Sequence, residues 1–101
     1  MIEAEGLLRL EQERLLAERD SARVRLESAH IQVKAADKRW QLARESRSFF
    51  QKSYQRGETD LPTRLRIELE ATEAERQSAR SRIDLAAAVS SLRQALGLLP
   101  E

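Results

Sequence analysis

From residue 22 onward, the apolar and small residues of this chain fall at alternating intervals of four and three. Ala22, Leu26, Ala29, Val33, Ala36, Trp40, Ala43, Arg47, Phe50 and Tyr54 form one line, broken only by Arg47. That repeat lays its members along one stripe of a helix, the seam of a coiled coil. Leu8 and Leu15 keep the same phase upstream. Gln12 and Arg19 stand between and beyond them, so the seam weakens toward the N-terminus. Ile31, Leu42 and Phe49 are expected to widen the stripe on one flank. No proline or glycine interrupts residues 7–56. The pattern predicts one helix over about 3–55, roughly 80 Å long at the α-helical rise.

The chain has one real break, Tyr54-Gln-Arg-Gly57-Glu-Thr-Asp60-Leu61-Pro62. Glycine after a helix takes the left-handed conformation that stops it. Asp60 or Thr59 is suited to cap the next helix, and Pro62 fits its first turn. The expected bend is 56–61, followed by a helix over about 61–96. The seam of this second helix is Ile67, Ala71, Ala74, Ser78, Ser81, Leu85, Ala88, Leu92 and Ala95, every member apolar or small. A second stripe, Leu65, Leu69, Thr72, Ala79, Ile83 and Ala86, implies contact with helices on more than one side. Gly97 and then Pro100 are expected to end the helix.

The expected fold is therefore all-α: a long antiparallel coiled-coil hairpin with unequal helices, forming a single domain over 1–101. Tyr54 should face the region of Arg64, and Leu96 roughly Ala22. Residues 1–21 then overhang with no intramolecular partner. Two helices bury only one face each and are marginal alone. Both points predict a homo-oligomer, a dimer closing a four-helix bundle for a chain of this size. Glu5–Arg9, Arg9–Glu13, Arg14–Glu18, Arg66–Glu70 and Arg80–Asp84 are surface pairs at helical spacing. Each contributes only about 0.2–0.5 kcal/mol.

Composition adds exclusions. Charged residues make up 35% of the 101 residues, aromatics 4%, and the net charge is +1, which suits long solvated helices and gives no case for nucleic acid. Without cysteine there is no disulfide framework and no thiolate chemistry. The apolar run Leu85–Val89 is far short of the roughly twenty residues of a membrane-spanning helix. The N-terminus lacks the basic start and apolar stretch of a secretory signal. His30 is the single histidine, flanked at a distance by Glu27 and Asp37, read as helix-surface residues. That leaves no three or four converging metal ligands. No glycine-rich phosphate loop or GxSxG elbow is present. No catalytic residue, cofactor or metal site is expected, and the chain does not read as an enzyme. All four aromatics, Trp40, Phe49, Phe50 and Tyr54, lie just before the bend. Trp40 and Phe50 are expected to fill the hairpin core there, with Phe49 free to contact a neighbouring helix.

Phe50-x-x-x-Tyr54-x-x-Gly57, then Leu61 and Leu65, then Ala95-Leu96-Gly97 at the end of an Ala-rich helix resemble outer-membrane efflux proteins of the TolC family. The resemblance covers residues 22–97; residues 1–21 fit only as generic coiled coil. It implies one helical hairpin from the periplasmic α-barrel of a trimeric duct. Such a duct works without enzymatic activity, with a periplasmic adaptor and an inner-membrane pump. It implies a periplasmic location within an outer-membrane protein. It places Tyr54, Gly57 and Leu61 at the periplasmic tip that meets the adaptor, with Glu58, Asp60 and Arg64 as polar neighbours. Some members carry acids in the first two turns after the glycine; here Thr63, Arg64 and Arg66 stand there, with Glu68 later. The resemblance therefore speaks for docking ahead of gating. Gly57–Leu65 looks most like the heavy-metal efflux branch, although the chain offers no soft-metal ligand set.

No strand-like segment suited to a pore-forming barrel is present, so the expected role is that of a fragment of such a duct. Two other readings share the heptads. An adaptor's own α-hairpin has a similar tip, echoed by Thr63-Arg64-Leu65, but continues into a β domain. An unrelated cytosolic coiled-coil module explains the repeats but not the paired Tyr-x-x-Gly and Ala-Leu-Gly.

Overall fold

The computed structural model describes residues 2–97, and among these every regular element is helical. Helix α1 spans Ile2–Gln55, 54 residues, and helix α2 spans Leu61–Gly97, 37 residues. Both agree with the expected bounds to within one residue. Gly97 is still helical, and Pro100 lies outside the described residues. Two compact units are distinguished, Ile31–Ile83 and Met1–His30 with Asp84–Glu101.

The unit Ile31–Ile83 is a helical hairpin. Its buried apolar residues are Ala36, Ile67 and Ala71, with Ser53, Ser78 and Ser81 buried beside them. Val33, Trp40, Ala43, Arg47, Phe50 and Tyr54 are half-buried on the same stripe, as is Ala74 on α2. All of these but Ser53 belong to the heptad seams. Trp40 and Phe50 are only partly covered, because a two-helix layer leaves one side of a large ring open. Arg47 does not break the stripe. Its guanidinium lies 5.6 Å from the centroid of the Trp40 ring, and that of Arg44 lies 5.0 Å from it. The aliphatic stem can then follow the seam while the charge rests on the π-face.

The unit Met1–His30 with Asp84–Glu101 repeats the logic. Ala22, Ala29, Ala88 and Ala95 are buried, while Leu26, Leu85 and Leu92 are half-buried. Glu18, Ser21 and Arg25 on α1 line an open hollow with Ser91 and Gln94 on α2. Beyond it α1 runs without cover: among residues 3–20 none is buried, and Leu7, Leu8 and Leu10 are each more than 60% exposed.

One expectation needs revision. Ile31, Leu42 and Phe49 do not widen the seam; each is more than half exposed. Ile31 follows Ala29 by two residues, about 200° around the helix, so it faces away from α2. The α2 stripe Leu65, Leu69, Thr72, Ala79, Ile83 and Ala86 is exposed as well. Each helix thus carries a second apolar stripe, directed away from its partner. On the surface, Arg14–Glu18 at 3.9 Å and Arg66–Glu70 at 3.0 Å form as expected.

Gly57 has φ of +76°, and a Cβ built on it would meet nothing within 4 Å. Its requirement is therefore conformational and not one of space. Gly57→Val should lower the melting temperature, at a cost of at least about 1–2 kcal/mol. Gly57→Asn should lose less, because asparagine tolerates this region. Thermal melts followed by circular dichroism check the order; equal melting of all three proteins would contradict it.

Candidate functional site at the helical tip

Glu58 N–H donates to the Ser53 carbonyl at 2.9 Å, and Gly57 N–H donates to that of Tyr54 at 2.9 Å. With Gly57 left-handed, this is the Schellman termination. Two carbonyls that the helix end would orphan are satisfied. An apolar contact often completes the motif. Here a hydroxyl pair does so: Ser53 Oγ and Thr59 Oγ1 share a short hydrogen bond, and Ser53 is buried.

The second helix is then capped by Asp60. Thr63 N–H donates to Asp60 Oδ1 at 3.2 Å, and Arg64 N–H to the Asp60 carbonyl at 3.2 Å. Asp60 is therefore the cap, and Thr59 closes the loop instead. Hydrogen bonds from the Thr63 side chain and then from its backbone hold the Asp60 carboxyl below its ordinary range. Pro62 sits in the first turn, where its missing N–H costs nothing.

Across the hairpin, the Arg64 guanidinium lies 4.6 Å from the centroid of the Tyr54 ring. That places Tyr54 opposite Arg64, as the length of the bend requires. Such a contact is worth about 0.5–1 kcal/mol at a partly exposed site. Gln51 Nε2 donates to Glu68 Oε1 at 2.7 Å one turn further from the tip. Phe49 and Phe50 meet edge to face, centroids 5.2 Å apart. What remains open at the end of the hairpin is Gly57, Glu58, Asp60 and Leu61, with Glu58 at 3.4 Å from Arg56 and Leu61 49% exposed. The tip is thus a mixed-charge cap with the half-exposed Leu61 beside it.

One residue read as ordinary helix surface has a structural role. Asp37 takes a hydrogen bond from the buried Ser78 hydroxyl at 2.6 Å on Oδ1 and an ion pair with Arg82 on Oδ2. It joins α1 to α2 within the hairpin unit. The Ser78 hydrogen bond, then the Arg82 charge, draw its carboxyl below the ordinary range. Asp37 follows a seam residue, Ala36, and Ser78 is a polar member of the facing seam, but only the register between the helices brings the two together.

His30 is exposed. Among the described residues, no group of three or more His, Cys, Asp or Glu side chains is placed to hold a metal ion. No helix there is long and apolar enough to cross a membrane. Comparison of the chain with protein-family models, curated proteins and solved structures gives no match.

Because the folded Asp37 carboxyl is the more acidic state, its contribution is complete above about pH 4 and disappears as pH falls through the lowered folded value. Asp37→Asn should therefore melt below the unmodified chain at neutral pH, with the gap closing under acid. Melts across that range check this; a gap independent of pH would contradict it.

Proposed function

We propose that this chain is a periplasmic helical hairpin of an outer-membrane efflux duct. Its tip docks a periplasmic adaptor, which couples the duct to an inner-membrane pump. The observation that carries the reading is the tip. The residues through which the sequence resembles TolC-family ducts, Tyr54, Gly57 and Leu61, gather at one end of the hairpin beside Glu58, Asp60 and Arg64. There Tyr54 is clamped by Arg64, Gly57 makes the left-handed turn, and Leu61 is offered to solvent. A fixed tip loses little conformational freedom on binding, which favours a docking element.

The outward stripes support the same reading. A helix in the wall of an α-barrel meets neighbours on two sides. Here α1 offers Ile31, Leu42 and Phe49, and α2 offers Leu65, Leu69 and Ile83, all away from the intramolecular seam. The unequal helix lengths also suit a long descending helix and a shorter returning one. In the full duct the hairpins assemble as a trimer. The stretch Gly57–Leu65 looks most like the heavy-metal efflux branch, and on that reading the cargo passes through and is not held by this segment.

A cysteine at Glu58, the chain otherwise lacking any, tests the docking directly. The Glu58→Cys protein should cross-link to the isolated α-hairpin of a heavy-metal exporter's adaptor. Adding Leu61→Asp and Arg64→Glu should reduce the yield at least about tenfold while circular dichroism remains helical. No cross-link, or an unchanged yield in the triple variant, would contradict the reading.

A further inference from the structure

The N-terminal arm of α1, residues 2–20, extends past the end of α2 and keeps the phase of the seam. Leu8 and Leu15 continue the line of Ala22 and Ala29, yet Leu8 is 68% exposed and Leu15 half-covered. The seam between α1 and α2 thus runs on into a segment that, among the described residues, no second helix covers. Its polar interruptions are Glu5, Gln12 and Arg19. They explain why the seam looks weak, and they are not random. Turned antiparallel on itself about Gln12, the arm sets Glu5 opposite Arg19, Leu8 opposite Leu15 and Gln12 opposite Gln12, to within one residue. A parallel pairing would instead face Glu5 with Glu5 and Arg19 with Arg19, and like charges opposed in a seam are destabilising.

We propose that this arm pairs antiparallel with the same arm of a second copy of the chain, with the two-fold axis at Gln12. The contact is isologous, each residue meeting its complement twice. Leu8 and Leu15 form two leucine layers. The Gln12 side chains lie within amide hydrogen-bonding reach across the axis. Glu5 and Arg19 close each end with an ion pair; Arg19, now 3.3 Å from Asp20, has only an exposed neighbour to leave. The second copy's arm runs in the direction of α2. The inference does not depend on the efflux reading, and it selects the arm over the outward stripes as the first contact between copies.

Single cysteines give the test in a chain without any. Under mild oxidation Gln12→Cys should form a disulfide-linked dimer, because position 12 meets itself. Leu8→Cys and Leu15→Cys should each form no disulfide-linked dimer alone and should cross-link when mixed. Leu69→Cys, on the outward stripe of α2, should not cross-link. In sedimentation, Arg19→Glu should shift the unmodified dimer to monomer, and adding Glu5→Arg should restore it. All these positions lie on exposed or half-covered surface, so helicity by circular dichroism should hold. Self-linking of Leu8→Cys, linking through Leu69→Cys in place of Gln12→Cys, or an unmodified chain that sediments as a monomer at high concentration would each overturn the proposal.

Discussion

The close approach of two helix backbones across a stripe of small residues is the constraint on which the structure depends. Ala36, Ala71, Ser78 and Ser81 are buried in the hairpin unit, and Ala22, Ala29, Ala88 and Ala95 in the other. Among the described residues Ile67 is the one buried apolar residue larger than alanine. Helices meeting through alanine and serine sit near the short end of the usual interaxial range of 8–10 Å. That geometry brings Asp37 within reach of Ser78 and Arg82, and Gln51 within reach of Glu68. Among the described residues it also leaves no large side chain fully enclosed, so transfer of apolar surface stabilises the pair weakly and polar cross-links matter more than in a globular core.

The same constraint explains what could be read from the sequence. Every member of both seams from Ala22 to Tyr54 and from Ile67 to Ala95 is buried or half-buried. Heptad position alone decides this, because a helix turns its stripe toward its neighbour whatever the surroundings. Gly57 was equally legible, since a left-handed residue after a helix is glycine for steric reasons. The pairing of Tyr54 with Arg64 followed from the length of the bend. Asp37 was not legible as a cross-link, because its role depends on which α2 residues face it, and that needs the register to within a fraction of a turn. The hydroxyl pair of Ser53 and Thr59 depends in the same way on the path of a short loop. Ile31, Leu42 and Phe49 were misplaced for a simpler reason: apolar residues on one helix were assigned to one face, whereas their spacing puts them on another.

The two stripes per helix link structure to the proposed role. A helix that serves one partner needs one apolar face; α1 and α2 each carry two. On the efflux reading the inner stripes hold the hairpin and the outer stripes belong to neighbouring hairpins of a wall, while the tip, fixed by the Schellman turn, the Asp60 cap and the Arg64–Tyr54 contact, meets the adaptor. The N-terminal arm adds a separate device, a seam whose polar members complement one another only in reverse. On these two proposals assembly is distributed along the chain, with tip, outward faces and arm each having their own surface and their own chemistry.

The central claim is that small side chains, and not bulk hydrophobicity, set the distance between α1 and α2. Ala71 is fully buried, and the melting temperature of Ala71→Leu measures that claim most directly. A close-packed seam has no room for three further heavy atoms, so overpacking should lower the melting temperature, at a cost of about 1–3 kcal/mol. A loosely packed pair would gain apolar burial from the same change, and a raised melting temperature for Ala71→Leu would contradict the account.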